Sequence, residues 1–143
     1  MRTRASCSGY DAKVNQELTA MLKIILCLKR NPSMTRAEFH RYWKEDHAAV
    51  MREVAPVLGI RRNVHNRTHS TTLDLVIRQG RGADEDDYDG VAESWFDSMD
   101  ALMQATATDT GKAAAKRLRE DEMRFIDFSR SRIFFVEEDC VVG

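Results

Sequence analysis

Between Leu22 and Glu137 the chain alternates strand-length and helix-length patterns in the order β-α-β-β-α-β, and few folds accommodate that order. In Leu22–Arg30, Leu22, Ile24, Leu26 and Leu28 fall on one side, with Lys23, Ile25, Cys27 and Lys29 on the other. Asn31-Pro32-Ser33 ends this strand, and Thr35-x-x-Glu38 opens a helix with a capping box. Phe39, Trp43, Val50 and Val54 recur at helical spacing until Pro56 and Gly59 close the element. A second strand, Ile60–Thr68, sets Ile60 and Val64 against Arg61, Asn63, His65 and Arg67. Residues 69–90 read as a long connection whose acidic run, Asp84 to Asp89, is expected to be a solvated loop. A third strand spans Val91–Phe96, helical sequence interrupted near Thr106–Gly111 follows from Ser98 to Phe128, and Arg132–Glu137 is a final β-rich strand.

Right-handed crossovers turn this order into a four-stranded antiparallel sheet with both helices on one face, an α+β fold of the ferredoxin-like kind. The other face is left uncovered. Ile25, Cys27, Asn63, His65, Glu93 and Trp95 are expected there, a mixture suited to another protein surface or a ligand, and two such sheets facing one another are expected to make a homodimer. Residues 1–20 are polar and precede Met21; they are expected to be a disordered or part-helical extension, leaving 21–143 as the domain.

Bulk properties remove several function classes. Lys+Arg 22 against Asp+Glu 23 gives a net charge of −1, which offers no field for nucleic acid or an anionic membrane. The longest apolar run, Ile24–Leu28, is far too short to span a bilayer. The N-terminus has no apolar signal core, and three scattered cysteines without C-x-x-C argue against a disulfide framework or structural zinc, so a cytoplasmic location is expected. G-x-G-x-x-G, P-loop and G-x-S-x-G patterns are missing. His65, His69 and Glu93 are metal donors on paper but lack metal-site spacing. Neither a cofactor nor a metal is expected.

The remaining candidates for chemistry are few. His47 lies at the margin of the first helix's apolar stripe, where an imidazole of intrinsic pKa near ~6.5 either transfers protons or packs as a hydrogen-bond donor. Glu93 lies mid-strand, as a base or orienting carboxylate or as an interface salt bridge to Arg61 or Arg67; a raised pKa would mark the first role. Trp43 reads as core, whereas Tyr42 and Trp95 suit a cavity edge where a phenol or indole N–H meets a ligand oxygen. Cys27 reads as packing.

Four stretches carry a resemblance: Phe39-x-x-Tyr42-Trp43-x-x-x-His47, the run Tyr88 to Asp97, Asp121-Glu122-x-x-Phe125-Ile126-Asp127, and Val136-Glu137-Glu138. Together, over Leu22 to Val142, they resemble the EthD-like family of dimeric α/β-barrel proteins. The resemblance implies a sheet-to-sheet dimer with a cavity between sheet and helices. It also implies kinship with cofactor-free isomerases, decarboxylases, cyclases and anthrone-type monooxygenases acting on phenolic, lactone and polyketide substrates, and with accessory proteins of degradation operons. Fold alone does not choose among these. Where many members carry a histidine near the end of the second strand, this chain has Arg67, which suits an anionic group. The expected function is proton transfer on an aromatic, lactone or polyketide-like ligand. His47, Glu93 and His65 form the catalytic set, while Tyr42, Asn63, Arg67 and Trp95 hold the substrate. The alternatives are a non-catalytic accessory or ligand-binding protein, or a cofactor-free monooxygenase.

Overall fold

The computed structural model describes residues 21–84 and 86–143; the expected extension at residues 1–20 lies outside the described residues, as does Glu85 of the acidic run. Four strands, β1 (Leu22–Leu28), β2 (Arg62–Arg67), β3 (Gly90–Phe96) and β4 (Arg132–Val136), form one sheet in the order β2-β3-β1-β4. Every neighbouring pair is antiparallel, with Leu26 opposite Ala92 and Ile133, and Ala92 opposite His65. This is the ferredoxin-like arrangement that the element order predicts.

The first crossover is helical from α1 (Arg36–Tyr42) through a π-turn (Trp43–His47) into α2 (Ala48–Leu58). The capping box forms as the sequence reads: Glu38 N–H donates to Thr35 Oγ1 at 3.1 Å and Thr35 N–H to Glu38 Oε2 at 2.7 Å. Pro56 is carried within the last turn, and Gly59, at φ 71°, supplies the left-handed cap that a side chain would resist. The second crossover comprises α4 (Met99–Ala107) and α5 (Asp109–Phe125), separated by Thr108, whose hydroxyl caps α5 through the Gly111 N–H. Leu28, Phe39, Trp43, Ala92, Phe125 and Ile126 form the buried core between sheet and helices.

Two expectations about the secondary-structure elements need correction. The connection between β2 and β3 is not all loop: it contains α3 (Thr72–Gln79), capped by Thr71, with Leu73, Leu75, Val76 and Ile77 exposed and an Asp74–Arg78 ion pair on its sheltered side. The larger correction is the parity of β2. Asn63 and His65 lie across from Ser94 and Ala92 on the helix-covered face, not with Glu93 and Trp95 on the open one. Val64 takes the open face instead, opposite Glu93. Alternation ordinarily turns the apolar side inward, and here the polar side of β2 turns inward because it lines a cavity rather than a packed core.

Cys27 is a free thiol, whereas Cys140 is disulfide-bonded, against the expectation drawn from the cysteine count. Among the described residues no helix is long and apolar enough to cross a membrane.

Candidate active site

The site grows out of the π-turn. Five residues apart on an α-helix, Tyr42 and His47 would point roughly 140° away from each other. The wider turn over Trp43–His47, where the Ala48 N–H donates back to the Trp43 carbonyl, swings both side chains to the same neighbour on α5. That neighbour is Asp121. Tyr42 Oη donates to Asp121 Oδ1 at 2.7 Å, and His47 Nδ1 lies 2.7 Å from Asp121 Oδ2.

His47 is 4% exposed, and burial lowers its pKa; Asp121 works in the opposite direction but does not cancel the shift. The imidazole is therefore neutral at pH 7. With a carboxylate facing Nδ1, the proton of the neutral ring sits on Nδ1, leaving the Nε2 lone pair for proton acceptance. Burial, together with the Asp121 bond, also raises the Tyr42 hydroxyl, so Tyr42 stays a donor and fixes the carboxylate rather than titrating.

His47 lines a cavity of about 250 Å³ between sheet and helices. Ile24, Leu26, Leu28, Ala92 and Phe96 give it an apolar floor, and Asn63, Ser94, His65 and Glu122 add polar groups. His65 stacks on Trp43 with ring centroids 4.5 Å apart and on His47 at 5.7 Å. Its buried Nε2 has no hydrogen-bond partner among the described residues, and burial with the nearby His47 and Arg52 pushes its pKa down to about 4. Asn63 Nδ2 donates to Ser94 Oγ at 2.9 Å, which orients that amide at the cavity wall.

Glu122 completes the set. Burial, reinforced by Asp121 beside it, pushes this carboxyl up to about 7, so near neutrality a large fraction of it is a proton donor. A neutral imidazole with a free lone pair and a protonated carboxyl thus line the same small cavity, the pairing that acid–base catalysis requires.

Comparison with family models matches residues 31–129 to the EthD domain. The chain belongs to the EthD family. An EthD family protein from Bacillus halodurans C-125 aligns with TM-score 0.54 and 25% identity, covering 83% of this chain and 99% of that one. A dimeric ferredoxin-like protein of unknown function from Jannaschia sp. CCS1 aligns with TM-score 0.50 and 14% identity over 82% of this chain and 99% of its own. SnoaB, a cofactor-independent oxygenase from Streptomyces nogalater, aligns at TM-score 0.47 and 16% identity over 85% and 95%, too distant to bear on chemistry. A search of curated proteins found no match.

Within this EthD domain the residues expected at the site separate into two groups. His47, His65 and Asn63 line the cavity, and Tyr42 reaches it through Asp121. Arg67 is exposed and lines an open groove that adjoins the cavity at His65 and Asn63. Glu93 and Trp95 lie on the opposite face of the sheet. Glu93 pairs with Lys23 at 2.7 Å and accepts from Asn66 at 3.0 Å; burial opposes ionisation there, yet these partners hold its pKa below the usual range. That is the ion-pair alternative, with Lys23 rather than Arg61 or Arg67 as partner. Trp95 is 2% exposed, with Lys23 Nζ 4.7 Å and Arg62 Cζ 4.6 Å from its ring centroid. His69 is exposed and Glu93 faces away from His65, so the paper set of metal donors does not converge.

Sequence reasoning passed over Asp121 and Glu122 as chemistry. The available signal was a pair of carboxylates interrupting the apolar stripe Leu118–Phe125 of α5, where an unsupported charge is costly.

Proposed function

We propose that the protein is a cofactor-independent enzyme that moves a proton on a small, largely apolar aromatic, lactone or polyketide-like molecule bearing an enolisable carbonyl, with isomerisation, cyclisation or decarboxylation as the outcome. One observation carries the reading: His47, fixed by Asp121, shares an apolar cavity with a carboxyl that stays protonated to about pH 7. His47 Nε2 takes the proton from the carbon beside the carbonyl, and the C–H electron pair moves into an enolate. Asp121 stabilises the imidazolium across Nδ1–H, while protonated Glu122 donates to the enolate oxygen, with Asn63 and His65 as further oxygen partners. Returning the proton at another carbon isomerises the substrate. Attack of the enolate on a second carbonyl cyclises it; in a β-keto acid no C–H is removed, and the C–CO₂⁻ electron pair becomes the same enolate as carbon dioxide leaves, with Glu122 protonating its oxygen and the enol then returning to the ketone.

The open sheet face supports a homodimer. Phe134, 48% exposed, lies in register with Ile25, Glu93 and Val64 there, an apolar row around one paired charge. Light scattering is expected to give twice the chain mass, and a stable monomer would end that part of the proposal.

Hydrogen–deuterium exchange tests the chemistry without knowledge of the natural substrate. With 2-tetralone in D₂O, the protein is expected to accelerate exchange of the protons beside the carbonyl, followed by NMR, and His47→Ala to remove the acceleration. A buffer-level rate with the wild-type protein, or an undiminished rate with His47→Ala, overturns the reading. The rate should fall at acid pH as His47 protonates and again above about pH 7 as Glu122 ionises.

A further inference from the structure

The cavity lies beside a groove of about 460 Å³ whose charge is one-sided: Lys44, Arg52, Arg61, Arg62 and Arg67 line it, and no carboxylate among the described residues does. In a chain of net charge −1 such a concentration is local, not a reflection of composition. Two of the five are already engaged, Arg61 3.6 Å from Asp97 and Arg62 over the Trp95 ring. Lys44, Arg52 and Arg67 come from the π-turn, α2 and the end of β2, are all exposed, and enter no ion pair among the described residues. Like charges brought together from three elements repel one another, a cost that an anion between them reverses.

The groove and the cavity adjoin, sharing Trp43, Met51, Ile60, Asn63 and His65 as lining. A ligand seated in the cavity against His65 thus has the cations as near neighbours. The coupling is also electrostatic: the charge of Arg52 contributes to the depression of His65.

We propose that Lys44, Arg52 and Arg67 form an anion site, and that the substrate is an amphiphile whose apolar body fills the cavity while its carboxylate or phosphate rests in this groove. The inference rests on the cavity being the reaction site. Guanidinium forks match the planar oxygens of either anion, and the ammonium of Lys44 adds a point charge. The anionic end stays hydrated at the mouth, so only apolar atoms and the reacting carbonyl are desolvated. Anchoring there also fixes which carbon reaches His47 Nε2.

Calorimetric titration of the full-length protein with 2-naphthylacetate, 2-naphthylmethyl phosphate and neutral 2-naphthylacetamide tests the site. Both anions are expected to bind about tenfold more tightly than the amide, a preference that shrinks at high salt. In the double variant Arg52→Gln/Arg67→Gln, with both positions exposed, the advantage of the anions over the amide should vanish. The ranking of carboxylate against phosphate identifies which anion the groove is built for. Equal binding of amide and anions by the wild-type protein, or a preference that survives the double variant, overturns the anion site and leaves the cavity standing. Failure of all three ligands to bind overturns both.

Discussion

Two clusters of buried ionisable groups lie on either side of Trp43, and they are built on opposite terms. In the first, Asp89 is 1% exposed and every acceptor it has is answered. Arg30 Nη1 and Arg36 Nε donate to Oδ1 at 2.6 and 2.9 Å, the Arg30 N–H donates to Oδ2 at 2.7 Å, and the Thr68 N–H donates to its carbonyl at 3.2 Å. His40 Nε2 also meets that carbonyl at 2.7 Å. Burial alone would raise this carboxyl, but the Arg30 N–H and the Arg36 and Arg30 guanidiniums outweigh it and hold it below the usual range. In the second cluster, His65 Nε2 has no partner among the described residues and Glu122 retains its proton to about pH 7. The first is a finished network that ties β1, α1 and the entry to β3 together. The second has been left with unspent hydrogen-bonding capacity, as the proposed proton-transfer function would require.

The sharpest way to break this contrast is to open the finished cluster. Asp89→Ala leaves two guanidiniums without their carboxylate and should lower stability by about 3–5 kcal/mol in urea unfolding. A loss below about 1 kcal/mol would mean that the cluster holds little together. Because the Asp89 pKa is depressed in the folded state, its stabilisation is present above the unfolded value and is lost as pH falls below it, so the variant should also show a weaker acid-induced loss than wild type.

The residue between the clusters comes next. A Cβ on Gly90 would lie 2.3 Å from Trp43 Cζ3, so Gly90→Ala should cost about 1–3 kcal/mol by thermal unfolding. It should also weaken naphthyl ligand binding, because Trp43 walls both cavity and groove. Normal affinity in a destabilised variant would show that the cavity tolerates a displaced Trp43.

Smaller effects distinguish the protons inside the cavity. His47 and His65 have folded pKa values below the unfolded one, so as pH falls below about 6.5 the unfolded chain takes up protons that the native state refuses, and stability drops. Glu122, raised to about 7, acts in reverse: the native state holds its proton while the unfolded chain releases it, so this contribution falls as pH rises from about 4.5 to 7. The two trends oppose each other over the same interval. Glu122→Gln should therefore steepen the rise of stability with pH between 5 and 7, and an unchanged slope would show that Glu122 ionises normally. Asp121→Asn should lower the His47 pKa further, read from imidazole NMR shifts, since Asp121 is the group that raises it. The smallest effect belongs to the surface: Arg41→Ala, at an exposed pair with Glu45 and Asp46, should stay within about 0.5 kcal/mol of wild type.

The order β-α-β-β-α-β, the capping box at Thr35, the uncovered sheet face and the candidacy of His47, His65 and Asn63 were all legible in the residues, because periodicity and capping are local consequences of side-chain chemistry. The parity of β2 was not, since alternation shows that two sides differ and cannot tell that the polar one faces a cavity. Glu93 and Glu122 look equivalent as letters. Tertiary packing gave one a lysine and left the other beside Asp121 in an apolar wall. The π-turn that lets Tyr42 and His47 share Asp121 is likewise a product of packing, because residues 79 and 74 positions apart in sequence meet only once α5 lies against that turn. Sequence by itself determined which groups were available and on which elements. The tertiary structure decided which of them hold a proton, because pKa depends on the dielectric and the charges that folding brings within a few ångströms.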